Sequence, residues 1–261
     1  MLSKKKEKVE VLSTAKLADG IYEMWLATDM AKENCAGRFI AVYPKNRATL
    51  LPRPISICER DAERGALRIV YRVAGEGTRE FSCYQNGDTA DILGILGNGY
   101  PLEEAERKTA LLMGGGIGIP PLLELAKELR DVHCKVQIVL GYRDAQLFLK
   151  EDLEKYGEVY IATEDGSAGT KGTVLDAVQK NKLKADLIYS CGPMPMLRAV
   201  KKYAEKESIT AWISLEERMA CGVGACLGCV CKTVKVDAHS HVHNARICTD
   251  GPVFRAEDVD I

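Results

Sequence analysis

The sequence predicts a multidomain β plus α/β protein laid out in three consecutive segments, and three observations predict it. Segments of alternating apolar and polar residues fill the first hundred positions, β and α signals then alternate to about residue 213, and from 214 the composition turns to Gly, Cys and His. Length agrees, because 261 residues exceed the ~100–200 of a single domain. An apolar share of 46% beside 28% charged residues is that of a folded chain and excludes a disordered one.

In the first segment, residues 21–26 and 67–72 alternate between apolar and polar side chains and are separated by Gly- and Asp-containing turns, as in an antiparallel barrel or sandwich. The second segment opens with the apolar strand 109–113, a Gly-rich turn and an amphipathic helix over 121–129. Strands at 136–140, 159–162 and 187–189 follow, with helical stretches near 144–155 and 174–179 between them. Such alternation implies a parallel sheet with helical crossovers. The third segment has little material for a core of its own.

Lys plus Arg number 36 against 37 Asp plus Glu, so the net charge of −1 offers no field for nucleic acid or an anionic membrane. No apolar run approaches the ~20 residues that span a bilayer. The start, Met1 to Lys6, is charged and has no apolar h-region, so the chain reads as cytoplasmic.

Ten cysteines are the unusual feature, and five of them fall within 28 residues. Cys221-x4-Cys226-x2-Cys229, followed by Cys248 after 18 intervening residues, matches the plant-type [2Fe–2S] spacing. A loop can supply three thiolates only by wrapping round the cluster. Gly222, Gly224 and Gly228 lie where the backbone must take positive φ or approach sulfide closely, and their exposed N–H groups can then donate to sulfur. A four-cysteine zinc site is the alternative, but zinc ribbons use C-x2-C pairs in both halves. Cys231 competes for the fourth position. If 229–231 is extended, however, both side chains point to one face, so Cys248 is kept as ligand and Cys231 reads as a packed thiol. His239, His241 and His243 alternate, as on an exposed edge strand or, less simply, at a second metal site.

Four further features concern phosphates and flavin. Arg53-Pro54-Ile55-Ser56 combines a planar fork suited to pyrophosphate with a small donor for a flavin edge. Gly75-Glu76-Gly77-Thr78 can open a helix with N–H groups facing a phosphate, or be a plain turn. Gly114-Gly115-Gly116-Ile117-Gly118 stands between strand and helix, where α/β domains receive dinucleotides, although it lacks the formal G-x-G-x-x-G. Cys191-Gly192-Pro193 likewise follows a strand, and Cys191 alone reads as a buried apolar residue.

Together these residues resemble the ferredoxin-NADP reductase superfamily. Within it, the run from Glu217 through Cys229 and the ending Cys248-Thr249-Asp250-Gly251-Pro252-Val253-Phe254 resemble the family of electron-transfer subunits of class B, NAD-linked dihydroorotate dehydrogenases. The resemblance spans essentially the whole chain. It implies an FAD-binding β-barrel over 1–100, an NAD-binding α/β domain over 101–213 and a [2Fe–2S] module over 214–261. It further implies that Arg53, Pro54, Ile55 and Ser56 line FAD, that Val70, Tyr71 and Arg72 run beside it, and that Gly77 and Thr78 hold its phosphates. Gly115, Gly116, Gly118, Cys191, Gly192 and Pro193 are the expected dinucleotide contacts, and Cys221, Cys226, Cys229 and Cys248 the iron ligands. Ile55 stands where the wider superfamily often stacks a Tyr on the flavin.

The implied function is to carry electrons from an FMN-containing, dihydroorotate-oxidising partner subunit, in a heterotetramer of two of each, to NAD⁺ in pyrimidine biosynthesis. No general acid, base or nucleophile is required of this chain for that task. Glu164 and Asp165, after the strand 159–162, would repel a 2′-phosphate and favour NAD over NADP. The competing readings are a flavin subunit of an electron-bifurcating NADH-dependent ferredoxin:NADP oxidoreductase or of a hydrogenase, an iron–sulfur redox sensor without flavin, and a zinc-stabilised binding module.

Overall fold

The computed structural model describes residues 4–33, 36–46, 48–236 and 241–261. Strands β1 (Lys5–Ala18), β2 (Ile21–Ala27), β3 (Phe39–Tyr43), β4 (Arg53–Asp61), β5 (Ala66–Arg72) and β6 (Thr89–Leu96) close into an antiparallel barrel in the order β1-β2-β5-β4-β3-β6. Of the two architectures that alternation allows, the chain forms the barrel. The long β1 closes it by pairing with β6 along its first half and β2 along its second, which leaves no sheet edge. Val9, Val11, Met24, Leu26, Ile40, Ile57 and Ile69 fill the interior, and Phe81 of the short helix α1 (Glu76–Phe81) packs with them.

The second domain holds β7 (Thr109–Gly115), β8 (Lys135–Tyr142), β9 (Glu158–Thr163), β10 (Thr170–Lys171), β11 (Leu187–Cys191) and β12 (Thr210–Ser214) as a parallel sheet ordered β10-β9-β8-β7-β11-β12. Helices α2 (Pro121–Asp131), α3 (Lys150–Glu154), α4 (Val174–Lys180) and α5 (Met194–Glu207) connect the strands. Leu112, Ile138 and Tyr189 pack with Leu122, Leu125 and Leu129 of α2, while Leu111, Met113 and Ile188 pack with Val178, Leu197 and Val200 of α4 and α5. Cover on both faces is why β7 is apolar without alternation.

Sequence periodicity overextends one helix and overlooks another. The stretch 144–155 is helical only at Lys150–Glu154, because the Asp144 carboxylate accepts the Gln146 N–H at 2.9 Å and makes a local turn that competes with helix. Helix α5 begins amid Pro193 and Pro195, which look like breakers but stand at its first turn, where a missing N–H costs least.

The cysteine-rich segment does not stand apart from the sheet. Its strand β15 (Val253–Arg255) pairs antiparallel with β12 and becomes the seventh strand, while β13 (Val230–Lys232) and β14 (Asn244–Arg246) form a two-stranded ribbon. His241 and His243 are exposed in the bend before β14, so these two do not share a strand face, and His239 lies outside the described residues.

Two buried ionic contacts lock the barrel to the α/β domain. Arg60 of β4 donates its backbone N–H and Nε to Glu124 of α2, both at 2.9 Å, and Lys127 donates to the Arg60 carbonyl at 3.0 Å. Arg68 of β5 bonds Glu23 at 2.8 Å and Glu59 at 3.2 Å within the barrel, and Asp152 of α3 at 3.0 Å across the joint. Tyr100, in the connection, donates to the Ser190 carbonyl at 3.1 Å, and Tyr189 returns a bond to the Pro101 carbonyl at 2.8 Å.

Candidate functional site

Where the carboxyl ends of β7 and β11 face β4 and β5, the joint leaves a cleft of ≈ 570 Å³. Nine of the residues singled out from the sequence line it: Pro54, Ser56, Arg72, Gly115, Gly116, Gly118, Cys191, Gly192 and Pro193. Glycine is needed here because the two strand ends converge. A Cβ on Gly118 would stand 2.4 Å from the Cys191 carbonyl oxygen, and one on Gly115 would stand 2.6 Å from the Met196 sulfur. Loss of hydration, reinforced by the charge of Glu216, pushes the half-buried Cys191 thiol up to about 12, so it stays protonated.

Arg53 lies beside the Gly75–Thr78 turn rather than in this cleft. A Cβ on Gly77 would meet its guanidinium at 3.0 Å, so that glycine makes the room in which the fork sits. Thr78 accepts the N–H groups of Ala74 and Gly75 at 2.9 and 3.2 Å, and orders the turn into α1. Val70 is buried in the core that the barrel shares with the α/β domain, whereas Ile55 and Tyr71 point into the barrel. Ile55 therefore offers backbone, not side chain, to anything bound outside the barrel. The Tyr71 hydroxyl is buried with no protein partner, an orphaned polar atom beside the strand expected to flank FAD.

A second cleft of ≈ 370 Å³ shares Arg72 and Gly116 with the first and continues between the β1–β2 turn and Tyr142, Arg143 and Phe148. Beyond it the Glu164 and Asp165 N–H groups donate to the carbonyls of Tyr142 and Arg143 at 3.1 and 3.3 Å, so the acidic turn and Arg143 are neighbours. Tyr142 and Arg143 escaped the sequence reading, although the end of a predicted strand was the signal that could have found them. Ser214, Leu215 and Glu216 of the main cleft escaped it too, because β12 was not read as a strand, while Glu217, Arg218 and Met219 were read only as part of the cluster-segment resemblance.

The cleft wall leads directly into the thiols. Met219 lines the cleft two residues before Cys221, an extended reach of at most about 7 Å. Pro252, four residues after Cys248, lines it from the other side. Gly222 and Gly224 take φ of +68° and +87°, and Leu227, not Gly228, supplies the third left-handed position of the loop at +54°. Val223 and Ala225 donate N–H to Cys221 Sγ at 3.4 and 3.3 Å, and Cys248 donates its N–H to Cys229 Sγ at 3.4 Å. Although burial acts against it, those backbone donors and the Cys226 thiol bring Cys221 down to about 6. Burial, then the neighbouring Cys229, push Cys248 up to about 12.

Cys226 acts most directly on Cys221 and Cys229 on Cys248, while Cys221 acts on Cys248 as well, so the four thiols form one neighbourhood. Four neighbouring thiols whose sulfurs accept backbone N–H groups are the donor set that a [2Fe–2S] cluster takes. Cys231 lies opposite Ala245 on the β13–β14 ribbon, half-buried, and burial with a smaller contribution from Cys229 pushes its thiol up to about 11.

A barrel and a parallel sheet meeting at a glycine-lined cleft, with a thiol loop at its rim, define a reductase of the ferredoxin-NADP reductase type that carries its own iron–sulfur segment. Residues 112–202 match the oxidoreductase NAD-binding domain, and residues 216–260 match the iron–sulfur cluster binding domain of dihydroorotate dehydrogenase B. The chain is 42% identical over 97% of its length, and 98% of the relative's, to the dihydroorotate dehydrogenase B (NAD(+)) electron transfer subunit of Listeria monocytogenes serotype 4a (strain HCC23). It is 44% identical, with the same coverage of both chains, to the subunit of that name from Geobacillus kaustophilus (strain HTA426). A solved structure of the NADH-dependent reduced ferredoxin-NADP oxidoreductase, described for flavin-based electron bifurcation, superposes with a TM-score of 0.86 at 29% identity, covering 97% of this chain and 89% of that one. The chain belongs to the family of electron transfer subunits of dihydroorotate dehydrogenase B (NAD(+)).

Proposed function

We propose that the chain takes electrons from the FMN of a dihydroorotate-oxidising partner subunit and hands them, through a [2Fe–2S] cluster and FAD, to NAD⁺ in pyrimidine biosynthesis. The observation that carries this reading is continuity: the main cleft's Met219 and Pro252 run within a few residues into the thiols Cys221 and Cys248. FAD and the cluster, when bound, supply the exchange between hydride transfer and single-electron transfer that two separate proteins require.

The chain's own residues bind and orient. Arg53 offers its planar fork to the FAD pyrophosphate in the space that Gly77 leaves, with Thr78 ordering the turn. Pro54, Ile55 and Ser56 along β4, and Val70, Tyr71 and Arg72 along β5, flank the flavin. Gly115, Gly116, Gly118, Cys191, Gly192 and Pro193 receive the dinucleotide at the carboxyl ends of β7 and β11. Cys221 with Cys226 holds one iron and Cys229 with Cys248 the other. Residues 1–100, 101–213 and 214–261 thus serve one redox station each.

The partner docks over the outer thiol pair. Cys226 is exposed, and Val223, Leu227 and Val230 around it are 40%, 63% and 39% exposed, an apolar rim where a donor must come close. Two of each subunit make the complex. No described helix is long and apolar enough to cross a membrane. Among the described residues every cysteine is a free thiol, which suits a reducing cytoplasm.

Co-expression with an FMN-containing dihydroorotate dehydrogenase subunit tests the proposal. The expected result is a complex holding FAD, FMN and iron that reduces NAD⁺ when given dihydroorotate. A complex with every cofactor but no dihydroorotate-dependent NADH would overturn it. Glu164 and Asp165 are exposed at the end of β9, and their charge favours NADH over NADPH. Equal kcat/KM for the two would remove that preference.

A further inference from the structure

We infer that Asn98 is a positioning residue that fixes the distance between the cluster arm and the flavin; the inference rests on the function just proposed. The arm running from Cys248 to β15 belongs by hydrogen bonding to the α/β sheet. Ser214 of β12 pairs with Val253, and the Leu215 N–H donates to the Pro252 carbonyl at 2.9 Å. The residues proposed to hold FAD, in contrast, stand largely on the barrel. Apolar packing of Ile247 and Cys248 with Phe39 and Leu96 brings arm and barrel together, and Asn98, two residues past the end of β6, fixes their register with directed hydrogen bonds.

Its side chain treats Val253 as a strand neighbour would. Asn98 Nδ2 donates to the Val253 carbonyl at 2.7 Å and to the Asp250 carbonyl at 3.2 Å, while Oδ1 accepts the Val253 N–H at 3.1 Å. The Asn98 backbone N–H adds a bond to the Gly251 carbonyl at 2.8 Å. Every backbone group so held lies between the ligand Cys248 and the end of the cleft wall at Pro252 or one residue beyond. Gly97 permits the approach, since a Cβ there would stand 2.5 Å from Pro252 Cδ. Only an amide carries donor and acceptor on one short planar group, which is what pairing with both the N–H and the C=O of a single residue demands. Electron tunnelling falls steeply with distance, so slack in this arm slows transfer between cluster and flavin. It leaves untouched the hydride step, which depends on the barrel–sheet joint at Arg60–Glu124 and Arg68–Asp152.

The test uses the full chain loaded with FAD and iron, compared with Asn98→Ala and the isosteric Asn98→Asp, which turns the donor into an oxygen facing two carbonyls. Both variants are expected to retain flavin and iron content, the cluster's EPR spectrum and the rate of flavin reduction by NADH. Subsequent cluster reduction, followed by freeze-quench EPR, is expected to slow several-fold. In Asn98→Ala the Val253 amide should exchange with deuterium about tenfold faster, the equivalent of the ~1.4 kcal/mol that lost hydrogen bonds supply. Wild-type rates of cluster reduction in both variants would overturn the inference. Failure of the underlying function would look different: the unsubstituted chain itself would lack flavin, iron or transfer between them.

Discussion

The barrel–sheet joint and the cluster arm solve opposite problems with different interactions. The joint is closed by charges removed from water: Glu124 has no exposed side chain, and the Arg68 side chain is 10% exposed among three carboxylates. The arm and its thiol loop have little core of their own: Met219, Cys229, Ile247 and Cys248 share one with Phe39 and Leu96 of the barrel, and backbone hydrogen bonds, left-handed turns and one asparagine hold the rest. Hydride transfer tolerates little misplacement, so a rigid desolvated joint suits it. An electron exchanged with another protein needs an accessible rim, and accessibility excludes a deep core.

The sharpest way to break this comparison is at the thiols. Cys248→Ser is expected to abolish the cluster's visible absorption and EPR signal while FAD stays bound and NADH still reduces it. Cys231→Ser should keep both signals in full. A full cluster in Cys248→Ser would place the fourth ligand at Cys231 and undo the pairing.

Next in size is the joint. Glu124→Ala removes one partner of a buried ion pair and should cost about 3 kcal/mol of unfolding free energy, read from urea denaturation. Its carboxyl titrates at about 7 rather than 4.5, chiefly because burial penalises the charge. The folded state therefore binds the proton more tightly than the unfolded chain. Stability should fall as pH rises from about 4.5 to about 7, and be level above that. Glu124→Gln should flatten this slope, and an unchanged slope would show that other groups carry it.

The smallest effect belongs to the rim. Leu227→Asp should weaken binding of the partner subunit roughly tenfold with folding and cofactor content unchanged, as calorimetry would report. Unaltered affinity would move the docking surface away from the outer thiol pair.

Much of this was legible in residue order because its causes are local. The spacing of Cys221, Cys226 and Cys229 is a property of one loop, and the apolar run at 109–113, bounded by a Gly-rich turn, reads as a buried strand. Arg53 and Gly77 were each visible, yet their contact was not, since it joins positions 24 apart through the barrel.

By itself, then, the sequence determined the fold class, the close spacing of Cys221, Cys226 and Cys229 and the glycines at the strand ends, all written in periodicity and spacing over a few residues. Only the tertiary structure decided that the third segment completes the second segment's sheet, that Ser214 to Met219 wall the cleft, and that Asn98 grips Val253 across 155 positions. Hydrogen bonds and close approaches between distant residues depend on how the barrel and sheet settle together, and no local pattern encodes that.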